Sequence, residues 1–221
     1  MMVEDVAALF RRYMDEPDQT FVDDAQMAQW LSLAYDYFRA VVIDMAPYVY
    51  AQEYVVTLAD ARILDLTGVL LGSAAPAATR LYQLVDIYRV NSATDTNNVV
   101  RRLVPSLNLK SAYDGRSDYV LKGAVINFAS EYSGVFRVDY VPDQDVNWAA
   151  GIAAGTNVYI DDLNRFHDII ALTAYLQYAI VDSADNAQLV ALFGRRQQQL
   201  KEYLENRAGG IVEMVVDLEY M

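Results

Sequence analysis

Apolar residues recur along this chain with two different periods, and the change of period divides it. Near the N-terminus Val3, Val6, Ala7, Phe10 and Met14 fall at helical spacing, and Pro17 ends that short helix. A longer helix follows. Asp23 with Gln26 three residues on reads as a variant capping box, and Val22 is placed to staple against Met27. Met27, Trp30, Leu31, Ala34, Phe38, Val41 and Met45 then form one stripe that stops at Pro47.

From about residue 50 to 140 the helical period gives way to β-branched and aromatic runs broken by Gly, Asn, Asp and Ser clusters. That pattern predicts strands at 50–58, 62–66, 82–91, 99–104, 124–128 and 135–140. The GSAAP run at 72–76 and the SAYDGRSD run at 111–118 read as loops or turns. Beyond an irregular stretch after Pro142, Asp161-Asp162 marks the start of a helix running to about Asp182. Its apolar residues cover nearly every face, so it is expected at the centre of a bundle. A last helix over 185–207 carries Leu189, Leu192, Phe193, Leu200, Tyr203 and Leu204 on one side, and Gly209-Gly210 suits its C-cap.

The segment after Gly210, IVEMVVDLEYM, alternates. Met214, Val216, Leu218 and Tyr220 interleave with Glu213, Val215, Asp217 and Glu219, a strand pattern with one apolar face. Extended, ten such residues reach roughly 33 Å. Three readings stand: strand addition to a partner, with these four side chains filling pockets, pairing with an edge of the chain's own β domain, or a terminus frayed in solution. The fold expected is therefore α+β: a bundle of N- and C-terminal helices (1–47 and 161–208), an inserted antiparallel β domain (48–142), an irregular connection (143–160) and an extended C-terminal docking tail (209–221).

Composition narrows the function. With 30 acidic against 17 basic residues in 221, the net charge of −13 would repel phosphate backbones, which argues against nucleic-acid binding as the main task. No cysteine is present, which removes disulfides, thiolate nucleophiles and Cys-based metal sites and fits a reducing cytoplasm. The first residues do not read as a signal peptide, and the apolar run at 169–181 is too short and too interrupted to span a bilayer.

Candidate chemistry is sparse. The single histidine, His167, cannot supply a multi-His metal site, and its neighbour Asp168 points about 100° away around a helix, so a packed core histidine is expected. Asp23-Asp24 and Asp161-Asp162 each stand before a helix, where capping explains them. The DTNN run at 95–98 and the DGRSD run at 114–118 lack calcium-hand spacing and read as turns. No phosphate-cradling glycine motif follows a predicted strand. Arg101-Arg102 and Arg195-Arg196 are isolated basic pairs, expected to meet acids on a neighbour or to remain solvated. Seventeen tyrosines suit partly wet contact surfaces and also sheet edges. No catalytic, cofactor-binding or metal-ligating set is expected, and no enzyme activity.

The stretch DDLNRFHDIIALTAYLQYA from Asp161, preceded by a strand ending VDYVP at Pro142, resembles the head-to-tail adaptor, or connector, proteins of tailed bacteriophages. The helix over 25–46 fits the same plan, and the likeness in layout covers roughly residues 20 to 207. What the resemblance implies is a structural virion protein at the head-to-tail junction, assembled in the host cytoplasm. Its subunits would form a ring, typically a dodecamer, docked on the portal protein and carrying tail nozzle, tube or fibre proteins. Met214, Val216, Leu218 and Tyr220 would then dock on the portal, and genome DNA would pass through without specific binding. The alternatives are another tail component, such as a nozzle or tail-terminator protein, and a small-molecule-binding domain with no readable motif.

Overall fold

The structure is a computed structural model that describes residues 1–15, 22–66, 81–106, 117–143, 146–153, 157–182 and 187–216. The fold is α+β, with helices and a mixed sheet of six strands. The chain divides into two compact units: Met1–Ala46 with Asp145–Met221, and Pro47–Gln144. Among the described residues no helix is long and apolar enough to cross a membrane.

The first unit is helical. Helix α1 (Val3–Tyr13) buries Val3, Val6, Ala7 and Phe10, the residues its spacing singles out. Helix α2 (Asp24–Met45) begins where Asp23 accepts a hydrogen bond from the Gln26 amide at 2.7 Å, so the cap read from sequence is formed. Short helix α3 (Trp148–Ile152) packs on α1 and α2. Gly151 is required there: a Cβ at that position would lie 2.5 Å from the Cβ of Val3.

Helix α4 (Asp168–Asp182) touches α1, α2 and helix α5 (Ala187–Val216). It buries every residue from Ile169 to Tyr175 in unbroken succession, Thr173 among them with its hydroxyl donating to Ile169 O at 2.7 Å, as a helix enclosed on every side must. Its start differs from the expectation. Asp161-Asp162 does not cap it, because a 3₁₀ turn at Asn164–Phe166 intervenes and α4 opens at Asp168. The Asp161 carboxylate is occupied instead by the Leu163 amide and by His167. Helix α5 also corrects a boundary: it runs through Gly209-Gly210, where a C-cap is expected, and ends at Val216. Helix hydrogen bonds along the chain outweigh the conformational cost of two glycines there, so no joint forms.

The second unit is the β insertion. Strand β1 (Gln52–Asp65) joins two stretches that the pattern separates, and β6 (Val125–Pro142) joins two more. They pair antiparallel along nearly their whole length, with the register shifting around Ala61. That irregularity is pinned by Asp60 and Ser133: the Asp60 amide donates to Ser133 Oγ at 2.9 Å, and Ser133 Oγ donates to Asp60 Oδ1 at 2.6 Å. Asp60 has φ 48° and Gly134 φ 119°, left-handed conformations that accompany such bulges.

On its other edge β6 pairs with β2 (Leu81–Ser92) and with β5 (Tyr119–Lys122). Strand β3 (Asp95–Arg102) pairs with β2, and the short β4 (Pro105–Ser106) runs parallel to β5, so the insertion is mixed rather than purely antiparallel. The order is β3-β2-β6-β5-β4, with β1 beside β6. Only Leu103 and Val104 separate β3 from β4, so the two ends of that order are one stretch of chain and the sheet closes on itself there. The Leu103 amide reaches Ile87 O at 2.8 Å and the Asp118 amide reaches Val104 O at 2.8 Å, completing the closure. Ile87, Leu103, Ile126, Phe136 and Val138, all fully buried, form the centre of the enclosed core. The DTNN run at 95–98 lies in β3, not in a turn; the hairpin turns at Ala93-Thr94.

Candidate functional site

Three clusters of polar side chains are built into the described residues, two in the β unit and one in the helical unit. The first centres on Asp86, which β2 places among apolar neighbours and which is 2% exposed. Tyr48 donates to its Oδ2 at 2.7 Å and Tyr88 at 3.0 Å, while Arg102 Nε donates to Oδ1 at 2.7 Å. Burial and the adjacent carboxylate push the Tyr48 and Tyr88 hydroxyls above the usual phenol range, so both stay protonated donors. Asp118 repeats the arrangement at the closure of the sheet. It accepts from Arg101 at 2.6 Å, Tyr132 at 2.7 Å and the Val104 amide at 2.8 Å. The pair Arg101-Arg102 therefore meets acids of its own unit, not acids on a neighbour and not solvent alone.

Asp139 on β6 lies directly across from Asp86 in the β2–β6 register. Arg137 approaches it at 3.1 Å and also reaches Glu53 at 3.6 Å and Thr96 O at 3.1 Å, with its guanidinium stacked 4.7 Å from the Tyr88 ring. Burial is the main cause that lifts the Asp139 carboxyl to about 6; Arg137 opposes it, and Glu53 and Asp86 add to it. Thus one cluster of charges ties β1, β2, β3 and β6 together across a single sheet face.

In the helical unit His167 is fully buried and its Nε2 lies 2.5 Å from Asp161 Oδ1. A carboxylate can only accept, so Nε2 carries the proton. Phe38 meets the imidazole edge-on at 6.2 Å. The histidine is a packed, hydrogen-bonded core residue, and its partner is Asp161, six positions away, rather than the adjacent Asp168. Asp168 instead receives a two-pronged bond from Arg196, at 2.6 and 2.7 Å, which fastens α5 to α4. Arg196 is thus also paired within its own unit.

These clusters are hydrogen-bonding frameworks: the Asp86, Asp118, Asp161 and Asp168 carboxylates take donors from their own unit, whereas Asp139 Oδ1 has no hydrogen-bond donor among the described residues. Among the described residues no group of three or more His, Cys, Asp or Glu side chains is placed to hold a metal ion. Of the four residues expected to dock on a partner, Met214 and Val216 fall in the last turns of α5, in helix rather than strand, while Leu218 and Tyr220 lie outside the described residues. Helical geometry removes the alternation on which the strand reading of 211–216 rests: residues two apart no longer share a face.

Sequence reasoning misses Asp86, Asp118 and Asp139 as a set. A signal is present in retrospect, since LVDIYRV and FRVDYV each put one acid inside a strand run otherwise rich in apolar residues. Compared with family models and with curated proteins, the chain matches none.

Proposed function

We propose that this chain is a structural virion protein that forms an adaptor ring between the portal and the tail of a tailed bacteriophage. The observation that carries this reading is the layout. Residues from both ends of the chain make one helical unit, and a self-closing sheet is inserted between its second and third helices. This layout is the one on which the sequence resembles the adaptor family.

Two surface features support a subunit that works among neighbours. On α5 the stripe of Leu189, Leu192 and Phe193 is only half covered, and Val190 beside it is exposed. On α2 Leu33 and Tyr37, one turn apart, are also exposed. In the proposed ring these positions face adjacent subunits. The C-terminal segment docks on the portal, the tail nozzle, tube or fibre proteins bind the opposite side, and DNA passes through an acidic channel without tight phosphate contact.

The test compares the full chain with a variant lacking residues 211–221, each mixed with a candidate portal ring and imaged by electron microscopy. The deletion leaves the buried anchors of α5, Leu200 and Leu204, in place. A second ring of density with the full chain, and none with the shortened one, is the expected outcome. Absence of binding by either form overturns the adaptor reading.

A further inference from the structure

Glu53 of β1, Asp139 of β6 and Asp86 of β2 stand in one row. Asp139 is opposite Glu53 in the β1–β6 register and opposite Asp86 in the β2–β6 register, so three acids lie side by side across three strands. Like charges so placed repel. Two guanidiniums answer the three carboxylates. Arg102 of β3 serves Asp86, to which Tyr48 and Tyr88 also donate, while Arg137 of β6 is shared by Asp139 and Glu53. Asp139 is the worst served: Arg137 Nε lies 3.1 Å from its Oδ1 without the alignment of a hydrogen bond, and that oxygen is buried.

The row is on the side of the sheet away from its core. Phe136, Val138 and Tyr140 of β6 face the core, so Arg137 and Asp139 between them face outward. Yet Asp139 is only 6% exposed. Cover over it comes from the far end of the β2–β3 hairpin. In the order β3-β2-β6-β1, two strands separate β3 from β1. Even so, Thr96 Oγ1 of β3 donates to Glu53 Oε2 at 3.4 Å, and Arg137 Nη1 donates to Thr96 O at 3.1 Å. Both contacts require residues 92–98 to fold back over the outer face. The β2–β3 register shifts where this bend begins, between Arg89 and Val90 and again between Val90 and Ser92. Beyond the bend the hairpin end is tied to itself: Asn91 Nδ2 donates to Asn98 Oδ1 at 2.9 Å, and Ser92 Oγ meets Thr94 Oγ1 at 2.9 Å.

We infer that residues 92–98 form a strap that closes over Asp139 when its carboxyl is protonated and lifts when it is ionised. Under the closed strap, ionisation sets a buried negative charge between Glu53 and Asp86 with no further cation to meet it. Lifting lets water reach the carboxylate and releases Arg137 from Thr96 O to serve it. Burial is the main cause that raises Asp139 from 3.8 to about 6; Arg137 opposes it, and Glu53 and Asp86 add to it. A proton held more tightly in the closed form favours closure below pH 6 and opening above it. If opening returns Asp139 to its ordinary value, the open-to-closed ratio rises about tenfold from pH 5 to pH 7.5. The strap lies wholly within the β unit and stands independently of the adaptor reading.

The absence of native cysteine makes the test direct. Asn97→Cys on the strap and Ala59→Cys on β1, both at exposed positions, are introduced together into the full chain and spin-labelled. Electron paramagnetic resonance then gives the distance between the labels at pH 5 and pH 7.5. The expected result is a longer-distance population that gains about tenfold on the shorter one at pH 7.5. Adding Asp139→Asn, which keeps the side chain neutral, should hold the shorter distance at both pH values. Adding Thr96→Val, which removes the hydroxyl bonded to Glu53, should raise the longer-distance population at both, with circular dichroism unchanged. A distance that ignores pH overturns the inference, and so does a pH response that survives in Asp139→Asn. If Asp139→Asn does not fold, Thr96→Val decides: unaltered distances in that variant remove the strap.

Discussion

In the helical unit the core is a continuous apolar body, with Arg39, Asp161, His167 and Thr173 as its buried polar side chains: α4 presents Ile169, Ile170, Ala171 and Leu172 in succession, and Val3, Phe10, Leu31 and Leu204 close around the bundle. The β unit buries three carboxylates, Asp86, Asp118 and Asp139, in a smaller enclosure. Asp86 and Asp118 are matched by tyrosine hydroxyls and arginine side chains reaching in from the surface. Arg101 and Arg102 are more than half exposed, while the acids they contact are buried. The difference teaches where each unit is vulnerable. Removing volume damages the bundle, whereas removing a hydrogen-bond acceptor damages the sheet, because its donors lose partners in a site water does not freely enter.

Trp30 and Trp148 are the only two tryptophans and both lie in the helical unit, so their fluorescence separates the two units. The largest effect is expected from Leu172→Ala, which leaves a cavity at a fully buried position. It should destabilise the helical unit by about 3 kcal/mol. Denaturant unfolding followed by tryptophan fluorescence should shift by that amount, while amide exchange in β2 and β6 is unchanged. The converse variant, Asp86→Asn, places amide hydrogens against Tyr48, Tyr88 and Arg102 and should cost the β unit about 2 kcal/mol. Faster exchange of β2 and β6 amides with unaltered tryptophan unfolding checks it; a shift in both would erase the contrast between the units.

A third prediction concerns pH. The folded-state carboxyl of Asp139 is raised to about 6 from 3.8, so the folded chain binds this proton more tightly than the unfolded chain. Its burial therefore costs stability above pH 6, and that cost disappears as pH falls toward 4. Allowing for solvent screening, the β unit should gain about 1.5 kcal/mol from this group between pH 8 and pH 4.5. Asp139→Asn should remove that part of the pH dependence, measured as the difference between the two exchange profiles. The smallest effect is that of Asp23→Ala. It removes the acceptor for the Gln26 amide at the start of α2 and should cost about 1 kcal/mol, visible in the tryptophan transition alone.

Much of the helical unit was legible in the sequence. The stripe through Val3, Val6, Ala7 and Phe10, the cap at Asp23 and the all-round apolar run of α4 are local patterns, set by residues a few positions apart. The strand runs were legible too, but their joining was not. β1 and β6 each continue through a bulge because the partner strand supplies hydrogen bonds across the irregularity, at Asp60 and Ser133, 73 positions apart. The docking residues show the same limit. Alternation in 211–221 predicts a strand, yet an extended α5 already in place carries 211–216 forward as helix, since each added turn requires no new nucleation.

The sequence by itself determined the α+β class, the change of period that marks the β insertion, the acidic charge and the absence of cysteine chemistry, because each is a matter of composition or of neighbours along the chain. Tertiary structure alone decided that Asp161 serves His167 instead of capping α4 and that Arg101 and Arg102 turn to Asp118 and Asp86. It also decided that β3 and β4 close the sheet. Those outcomes depend on which distant residues reach hydrogen-bonding distance inside a low-dielectric interior, where every buried charge must find a partner that local pattern does not specify.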